Sequence, residues 1–537
     1  MTSRRVTLWS AVVGVLSALV TLAVAEAIAA LMVAPASSPV FAVGSLVIDL
    51  VPGWFKTVVI DLFGTGDKIA LFVALGILIL VLAIGIGIVQ YRRPPWGIIS
   101  LVAVGVVAVF AVATRAAATG LWAVPTLIGV AMGVFVLRLG TNRLHDWATA
   151  ALADAPVIGS TALRELPPII PETKREAERR AFTRRRFFLV VGSTGAGALV
   201  LGLGARSINA GTAAVNTLRQ ALKLPKPATP APAIPAGASL GIPGITPVVS
   251  SNEGFYRIDT ALQVPVVDAS TWKLRIVGMV ENEVEIGFDE LLALPLTEHA
   301  VTLMCVSNEI GGDLVGNALW LGYPIRNLLA RVKPKAGADM VLSRSVDGFT
   351  AGTPLEVLMD ADRESLLAVG MNGVPLPIEH GFPVRMVVPG LYGYVSATKW
   401  VTELKVTRFA DDQGYWTPRG WSALGPVKTA SRIDVPVSGA SVAAGRVAIA
   451  GVAWAQHRGI EGVEVKVDDA SWQPARLAEP ISVDTWRQWV YEWDAPSGNH
   501  TIAVRATGAT NDTQRENRVP VAPNGSEGWH TITVNVT

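Results

Sequence analysis

The chain has 537 residues, of which 51% are hydrophobic and only 16% are charged. Soluble domains carry about 25% charged residues, so part of this chain is expected to lie in lipid. The net charge of +2 gives no indication of a nucleic-acid partner, and the single cysteine, Cys305, excludes an intramolecular disulfide, a multi-cysteine zinc site and a cysteine-ligated iron–sulfur cluster.

Apolar stretches long enough to cross a membrane fill the first 205 residues. A four-span membrane domain is predicted over residues 1–139, with spans at 6–33, 69–90, 96–114 and 121–139. The segment 40–63 is apolar overall but carries Asp49, Lys56 and Asp61. Because an ion at the bilayer centre costs at least about 2.5 kcal/mol, we predict that this segment is interfacial or re-entrant.

Basic residues are concentrated in one predicted loop. Residues 140–186 contain nine lysines and arginines, which indicates a basic cytoplasmic loop followed by a fifth span over 187–205. This topology predicts a multi-pass protein of the cell membrane with an extracytoplasmic carboxyl half. Arg184, Arg185 and Arg186 precede Phe187 and resemble a twin-arginine export signal, although a basic stop before a helix would look the same.

Few polar groups lie within the predicted spans. Of six histidines, only His145 is in the amino half, so we expect no membrane haem with paired histidine ligands. The spans would then serve as an anchor, dock a partner or contact quinone. Glu26, inside the first span, is either a functional carboxyl or part of an interhelical hydrogen bond.

Three regions are predicted beyond the spans. Residues 206–249 form a linker with a proline-rich stretch that should be extended and hold the next domain off the membrane. Residues 250–424 mix β-like runs with helical patches, and residues 425–537 read as short strands separated by turns. That spacing predicts an immunoglobulin-like β-sandwich at the carboxyl end.

Specific motifs lie in the 250–424 region. Cys305 stands in Thr-Leu-Met-Cys-Val-Ser-Asn (302–308), residues 372–390 contain Asn-Gly-Val-Pro-Leu-Pro and His-Gly-Phe-Pro-Val-Arg, and residues 397–401 read Ala-Thr-Lys-Trp-Val. Together they resemble the sulfite oxidase family of molybdopterin-dependent oxidoreductases, in its membrane-anchored bacterial form. The resemblance runs from about residue 255 to the carboxyl terminus. It implies an α+β molybdopterin-binding catalytic domain and a dimerisation-type tail domain.

The resemblance also implies the site residues. Cys305 would be the thiolate ligand of molybdenum, because soft thiolate ligation suits a redox-active metal. The implied cofactor-binding residues, several of them suited to the phosphate of the pterin, are Phe255, Tyr256, Arg257, Asp347, His380, Arg385 and Lys399. Cys305, Arg257 and Trp421 are the candidate catalytic residues.

The sequence departs from the family pattern around the substrate. Glu309 and Ile310 stand where sulfite oxidases place arginines, Trp421 replaces a tyrosine, and residues 523–528 hold no arginine. A pocket that loses cations and gains Glu309 should repel a dianion, so we expect a substrate other than sulfite.

The leading hypothesis is oxygen-atom transfer on a small substrate of S-oxide or N-oxide type, in either direction. The expected partners are membrane lipid, a quinone or cytochrome as electron carrier, and a second copy bound through the tail domain. The alternatives are a sulfite dehydrogenase with substrate cations from elsewhere and a non-catalytic surface-binding protein that reuses the fold. A transporter is disfavoured because no inverted repeat is visible among the spans.

Overall fold

The computed structural model describes residues 3–32, 37–52, 66–115, 118–152 and 210–537, with isolated positions between 55 and 63 and between 185 and 192. The chain divides into two compact units, Met1–Ala213 and Ala214–Thr537. The predicted fifth span over 187–205 lies outside the described residues except for three positions, as does most of the basic loop before it.

The described part of the first unit is helical. Its helices are α1 Ser3–Leu31, α2 Pro39–Leu50, α3 Asp67–Arg92, α4 Trp96–Ala113 and α5 Val124–Leu152, with a 3-10 turn at Gly120–Ala123. Four helices are long and apolar enough to cross a membrane, at the places predicted for the first four spans. Helix α5 continues past the predicted end of the fourth span at residue 139, because no glycine or proline interrupts residues 141–152. The start of the segment predicted as a basic cytoplasmic loop is therefore helical.

Small residues let these helices approach closely. A Cβ atom at Gly87 of α3 would lie 2.1 Å from the Ser10 carbonyl oxygen of α1, so the glycine is required there. The Glu26 carboxylate accepts a hydrogen bond from the Ser38 hydroxyl, which also accepts from the Phe41 amide at the start of α2. Glu26 therefore makes a hydrogen bond between helical segments, one of the two roles considered for it.

The second unit contains all the described strands. They are β1 Lys273–Gly278, β2 Val284–Gly287, β3 Thr297–Met304, β4 Val315–Pro324, β5 Met340–Ser345, β6 Thr350–Pro354, β7 Leu366–Met371, β8 Val374–Pro375, β9 Arg385–Val387, β10 Val401–Thr407, β11 Ala430–Val435, β12 Ser441–Val442, β13 Gly445–Trp454, β14 Ile460–Val467, β15 Gln473–Pro474, β16 Arg476–Leu477, β17 Arg487–Ala495, β18 Gly498–Gly508 and β19 His530–Val536. Its helices are α6 Ala210–Ala221, which begins just before the unit boundary, α7 Phe288–Ala293, α8 Ile325–Val332 and α9 Leu355–Met359.

The region 250–424 has the predicted α+β architecture. One sheet has the order β3-β4-β7-β8, with β9 also paired to β7, and the other has the order β2-β1-β10-β5-β6. In the second sheet β1 and β10 run parallel, although more than a hundred residues separate them in the chain. Helices α7 and α8 bury Leu291, Leu328 and Leu329 in the main core beside these sheets.

The region 425–537 is the predicted two-sheet sandwich. The sheets have the orders β11-β13-β17-β16 and β12-β19-β18-β14-β15. Alternate side chains of β13, β14 and β18 are buried between them, including Ile449, Val465 and Ile502.

The proline-rich segment, here called the strap (residues 223–250), lies against the 250–424 domain and against the sandwich, which is called the tail domain below. Ala228 donates its amide hydrogen to the Leu296 carbonyl oxygen over 2.8 Å, and Gln488 of β17 binds the Leu240 amide and the Thr246 carbonyl oxygen over 2.8 and 2.7 Å. The segment was predicted as an extended linker, and the structure shows that its backbone is bound to both domains. Prolines have no amide hydrogen to donate, and side chains of both domains donate to carbonyl oxygens of this segment.

Candidate functional site

Cys305 is the first residue after β3, in the loop that joins β3 to β4. Its amide hydrogen bonds to the Leu314 carbonyl oxygen over 2.9 Å, which extends the hairpin ladder by one step, and its carbonyl oxygen accepts from the Asn308 amide over 3.1 Å. The Ser307 amide lies 3.4 Å from the Cys305 sulfur. Burial raises the pKa of the thiol, and the Ser307 hydrogen bonds oppose that shift. The thiol is therefore held in place but is not by itself a ready thiolate.

The tail domain fixes the strand that leads to Cys305. The Thr302 amide donates to the Asp484 carbonyl oxygen over 2.9 Å, and the Trp486 amide donates to the Thr302 hydroxyl over 2.8 Å. The Asp484 carboxylate also contacts His299 of β3 at 2.9 Å and His457 at 3.1 Å. Both domains consequently contribute to the position of the loop.

Arg385 and His380 lie in the buried interior beside this hairpin. The Arg385 guanidinium donates to the backbone oxygens of Met386, His380 and Ala397 and lies over the Trp320 ring at 5.0 Å. Burial lowers the pKa of Arg385 to about 10. No carboxylate forms an ion pair with it among the residues that the structure describes. A buried cation without a counter-charge favours the binding of an anion.

The His380 ring holds the segment that contains Phe255 and Tyr256, two of the predicted cofactor-binding residues. Its Nε2 atom lies 2.9 Å from the Asn252 carbonyl oxygen, to which it donates. Burial, and secondarily the Arg385 charge, lower the pKa of His380 to about 4, so the ring is neutral near pH 7. The Phe255 ring packs edge-on against His380 and is stacked on Tyr256 at 5.2 Å. The structure therefore brings Phe255, Tyr256, His380 and Arg385 together.

Lys399 and Arg257 meet at one buried carboxylate. Asp259 accepts from Lys399 Nζ over 2.7 Å and from Arg257 Nε over 3.0 Å, and Lys399 also donates to the Glu379 carbonyl oxygen. Burial lowers the pKa of Lys399 to about 8, while Asp259 opposes the shift. Two cations share this single carboxylate, so the group is positive.

Asp347 lies at the edge of this cluster. It is in the loop between β5 and β6, and its carboxylate accepts a weak hydrogen bond, 3.4 Å long, from the Thr260 hydroxyl. Thr260 follows Asp259 directly, so the loop and the 255–260 segment are adjacent. The predicted binding residues thus form one region, while their individual roles remain predictions.

Trp421, a candidate catalytic residue, lies among aromatic rings. The centroid of its ring lies 5.9 Å from that of the Tyr394 ring and 6.3 Å from that of the Trp416 ring. The Tyr394 hydroxyl donates to the Ser422 carbonyl oxygen over 2.8 Å. Tyr392, two residues earlier, is fully buried, and burial is the main cause of its raised pKa. Of the two tyrosines, Tyr394 is the one whose ring contacts Trp421.

A loop of the tail domain, residues 521–528, packs on the Cys305 loop. The Ser526 hydroxyl donates to the Asn308 carbonyl oxygen over 2.7 Å, and a Cβ atom at Gly525 would lie 2.3 Å from the Tyr392 hydroxyl. Arg432 of β11 donates to the Gly312 carbonyl oxygen over 2.7 Å. Residues 523–528, which contain no arginine, therefore border the Cys305 loop.

Comparisons with known proteins agree with this arrangement. A family model described as "Oxidoreductase molybdopterin binding domain" matches residues 261–416, and one described as "Bacterial Ig domain" matches residues 430–504. The "Uncharacterized oxidoreductase YuiH" of Bacillus subtilis (strain 168) is 31% identical over 158 residues, which cover 29% of this chain and 76% of that protein. The chain belongs to the sulfite oxidase family of molybdopterin-dependent oxidoreductases.

Further members and a solved structure are similar over longer stretches. Mitochondrial sulfite oxidase of Homo sapiens is 29% identical over 332 residues, covering 51% of this chain. The match spans 60% of the human protein and 59% of the Mus musculus protein. The sulfane dehydrogenase SoxCD from Paracoccus pantotrophus is 22% identical, with a TM-score of 0.48 over 55% of this chain and 84% of that chain. The family assignment makes this chain an oxidoreductase with a molybdopterin-binding domain and an immunoglobulin-like domain.

The residues present suit the cofactor that the family binds. Arg385 is a buried cation without a carboxylate partner in the described structure, and the molybdopterin phosphate is an anion. Cys305 supplies the soft sulfur donor for the metal, and a coordinated thiol loses its proton whatever its pKa in the free protein. Lys399 and Arg257 add positive charge close by. The donor set therefore fits.

Three residues of this region were not predicted from the sequence. Asp259 holds Lys399 and Arg257, Asn308 is buried in the Cys305 loop, and Tyr392 lies under the tail loop. A sequence signal existed for Asn308, which ends the recognised Thr-Leu-Met-Cys-Val-Ser-Asn string at 302–308.

Proposed function

We propose that this protein is a membrane-anchored molybdopterin oxidoreductase that transfers an oxygen atom to or from a small substrate on the extracytoplasmic side. The observation that carries the proposal is the position of Cys305 at the end of β3, in the same domain as the buried Arg385 and the Lys399–Asp259–Arg257 group. The bound cofactor supplies oxygen-atom transfer and two-electron redox chemistry.

The chain's own residues provide binding and orientation. Arg385 and Lys399 would bind the phosphate of the cofactor, and Cys305 would hold the metal through its sulfur. Neutral His380 donates to the Asn252 carbonyl oxygen and thereby fixes the segment that carries Phe255 and Tyr256. The tail loop, which packs on the Cys305 loop, would help to exclude water from the bound substrate.

The charge near Cys305 supports a substrate other than a dianion. Glu309 is exposed in the Cys305 loop, and the bordering residues 523–528 contain no arginine or lysine. Glu527 in that segment is paired with Lys428 over 3.1 Å, so Glu309 supplies the negative charge. A small neutral S-oxide or N-oxide would not be repelled there. Electrons would pass singly to or from a quinone or cytochrome, and the tail domain would join two copies.

A sulfite dehydrogenase is the second candidate, because several similar proteins are named sulfite oxidases. The two functions differ in a direct assay. Purified protein should contain about one molybdenum per chain by elemental analysis, and a redox dye should report turnover of S-oxides or N-oxides but not of sulfite. Sulfite turnover would favour the second candidate, and metal-free protein from cofactor-producing cells would contradict both.

The anchor is tested separately. The four apolar helices support retention of the full-length protein in the membrane fraction after an alkaline carbonate wash, with release by detergent. Release by carbonate alone would contradict the anchor without affecting the proposed chemistry.

A further inference from the structure

The Cys305 loop contains a buried donor group without a partner. The Asn308 side chain is buried, and its Oδ1 atom accepts from the Leu314 amide over 2.7 Å. Since that amide can only donate, the oxygen of the carboxamide is fixed toward Leu314 and the nitrogen faces the other way. Among the residues that the structure describes, no atom accepts a hydrogen bond from Asn308 Nδ2.

Such a group calls for an explanation. Native proteins pair nearly all buried polar groups, because an unpaired donor loses its hydrogen bonds to water and gains nothing in return. The exceptions concentrate at sites where a ligand or a water molecule completes the network. The Asn308 side chain is also not free to turn toward solvent. Its oxygen is bound to Leu314, and a Cβ atom at Gly312 would lie 2.8 Å from it.

The position of Asn308 relates it directly to Cys305. The hydrogen bond from the Asn308 amide to the Cys305 carbonyl oxygen closes a four-residue turn, which brings the two Cα atoms within about 7 Å of each other. On the other side, Ser526 of the tail loop donates to the Asn308 carbonyl oxygen. Asn308 is therefore held rigidly, next to the residue that would bind the metal.

We propose that Asn308 is a positioning residue that donates a hydrogen bond from Nδ2 to an acceptor atom of the group bound at Cys305. This inference rests on the proposed function, because it presupposes that Cys305 holds the molybdopterin cofactor. The bound group would satisfy the donor that the protein leaves unpaired, and the rigid turn would orient that group at no further entropic cost.

The chain offers a matched control in Asn317 of β4. This side chain is equally buried, but both of its ends have protein partners. Its Oδ1 atom accepts from the Thr302 hydroxyl over 3.0 Å, and its Nδ2 atom donates to the Val248 carbonyl oxygen over 2.8 Å. The structure therefore gives Asn317 a role in the fold alone.

The experiment compares cofactor-loaded and cofactor-free forms of the full-length protein. Wild type, Asn308→Asp and Asn317→Asp are each produced in cells that make the cofactor and in cells that do not. For each pair, the gain in Tm on loading and the rate of molybdenum loss in the presence of a chelator are measured. Asn308→Asp retains an oxygen for the Leu314 amide and replaces the unpaired donor with an acceptor.

We expect Asn308→Asp to lose molybdenum at least about tenfold faster than wild type and to show a smaller gain in Tm on loading. Asn317→Asp should lower the Tm of both forms and leave the gain unchanged. Should Asn308→Asp fail to fold, Asn308→Ser provides the same comparison. Gains and loss rates equal to those of the wild type in the folded Asn308 variant would overturn the inference alone, while wild type without molybdenum would overturn the proposed function as well.

Discussion

Arg385 indicates, through its own environment, that an anion binds beside it. Its guanidinium is desolvated and bonded only to backbone oxygens and an aromatic face, so its charge is uncompensated by any carboxylate in the described structure. A planar guanidinium that is desolvated and has no carboxylate partner can bind a phosphate through two parallel hydrogen bonds, which a lysine ammonium cannot do.

Replacing Arg385 by lysine should therefore weaken the binding of the cofactor. The variant keeps the charge but loses the planar fork, at a cost of about 1.5–3 kcal/mol, which corresponds to roughly a 10- to 100-fold weaker affinity. Purified Arg385→Lys should contain less molybdopterin, measured by the fluorescence of the oxidised pterin. A pterin content equal to that of the wild type would argue against phosphate binding at this residue.

His530 provides a prediction about pH at the same scale. Its Nδ1 atom accepts from the Ile433 amide over 2.9 Å, and burial together with the Arg432 charge lowers the pKa of His530 to about 4. The unfolded chain, with a histidine pKa near 6.5, binds the proton more readily, so stability is present above about pH 6.5 and is lost as the pH falls toward 4.

The expected loss from His530 is on the order of 2 kcal/mol over that range, after allowing for its partial exposure. His380 should contribute in the same direction. In urea unfolding of the cofactor-free protein, His530→Asn, which preserves an acceptor for the Ile433 amide, should lose less stability between pH 6.5 and 4 than wild type does. Parallel pH profiles for the two proteins would show that His530 does not contribute.

At the scale of elements, strands were predictable where burial alternates along the chain. The sequence predicts strands at 446–454, 462–467, 486–493, 500–506 and 529–536. Strands β13, β14, β17, β18 and β19 begin and end close to these limits, since each places apolar side chains between two sheets. The site motifs were predictable because Cys305, His380, Arg385 and Lys399 lie in specific strings. Asn308 lies in one of these strings, but its role and that of Asp259 were not predictable, because both roles depend on contacts that only the folded chain creates.

The docking of the strap could not be predicted from composition. Its prolines indicate an extended segment, but the groups that bind it are distant in sequence, such as Trp486 and Asn317, which both donate to the Val248 carbonyl oxygen. Nothing within residues 223–250 identifies those donors. The contacts matter because the strap leads directly into Asn252, where His380 binds.

A substitution at Gln488 tests the role of the strap. Its buried amide group bonds to Leu240 and Thr246, and both strap groups would be left unpaired in Gln488→Ala. We expect a loss of about 2–4 kcal/mol in the free energy of unfolding, together with faster amide hydrogen exchange in residues 236–250. Unchanged exchange in that segment would mean that the strap is held by its other contacts.

At the scale of the whole molecule, the second unit combines two domains around one loop. The catalytic domain supplies Cys305, and the tail domain holds β3 through Asp484 and the loop through Ser526 and Arg432. Because the tail domain shapes the surroundings of Cys305, we expect changes in residues 521–528 to affect substrate choice as well as stability. The first unit supplies the apolar helices that support a membrane anchor.

A bond between the Cys305 sulfur and molybdenum is tested most directly by X-ray absorption at the molybdenum edge, recorded on wild type and on Cys305→Ser. If that bond exists, the variant should have one sulfur neighbour fewer around the metal than the wild type, with the fold preserved. The same number of sulfur neighbours in both proteins would contradict it.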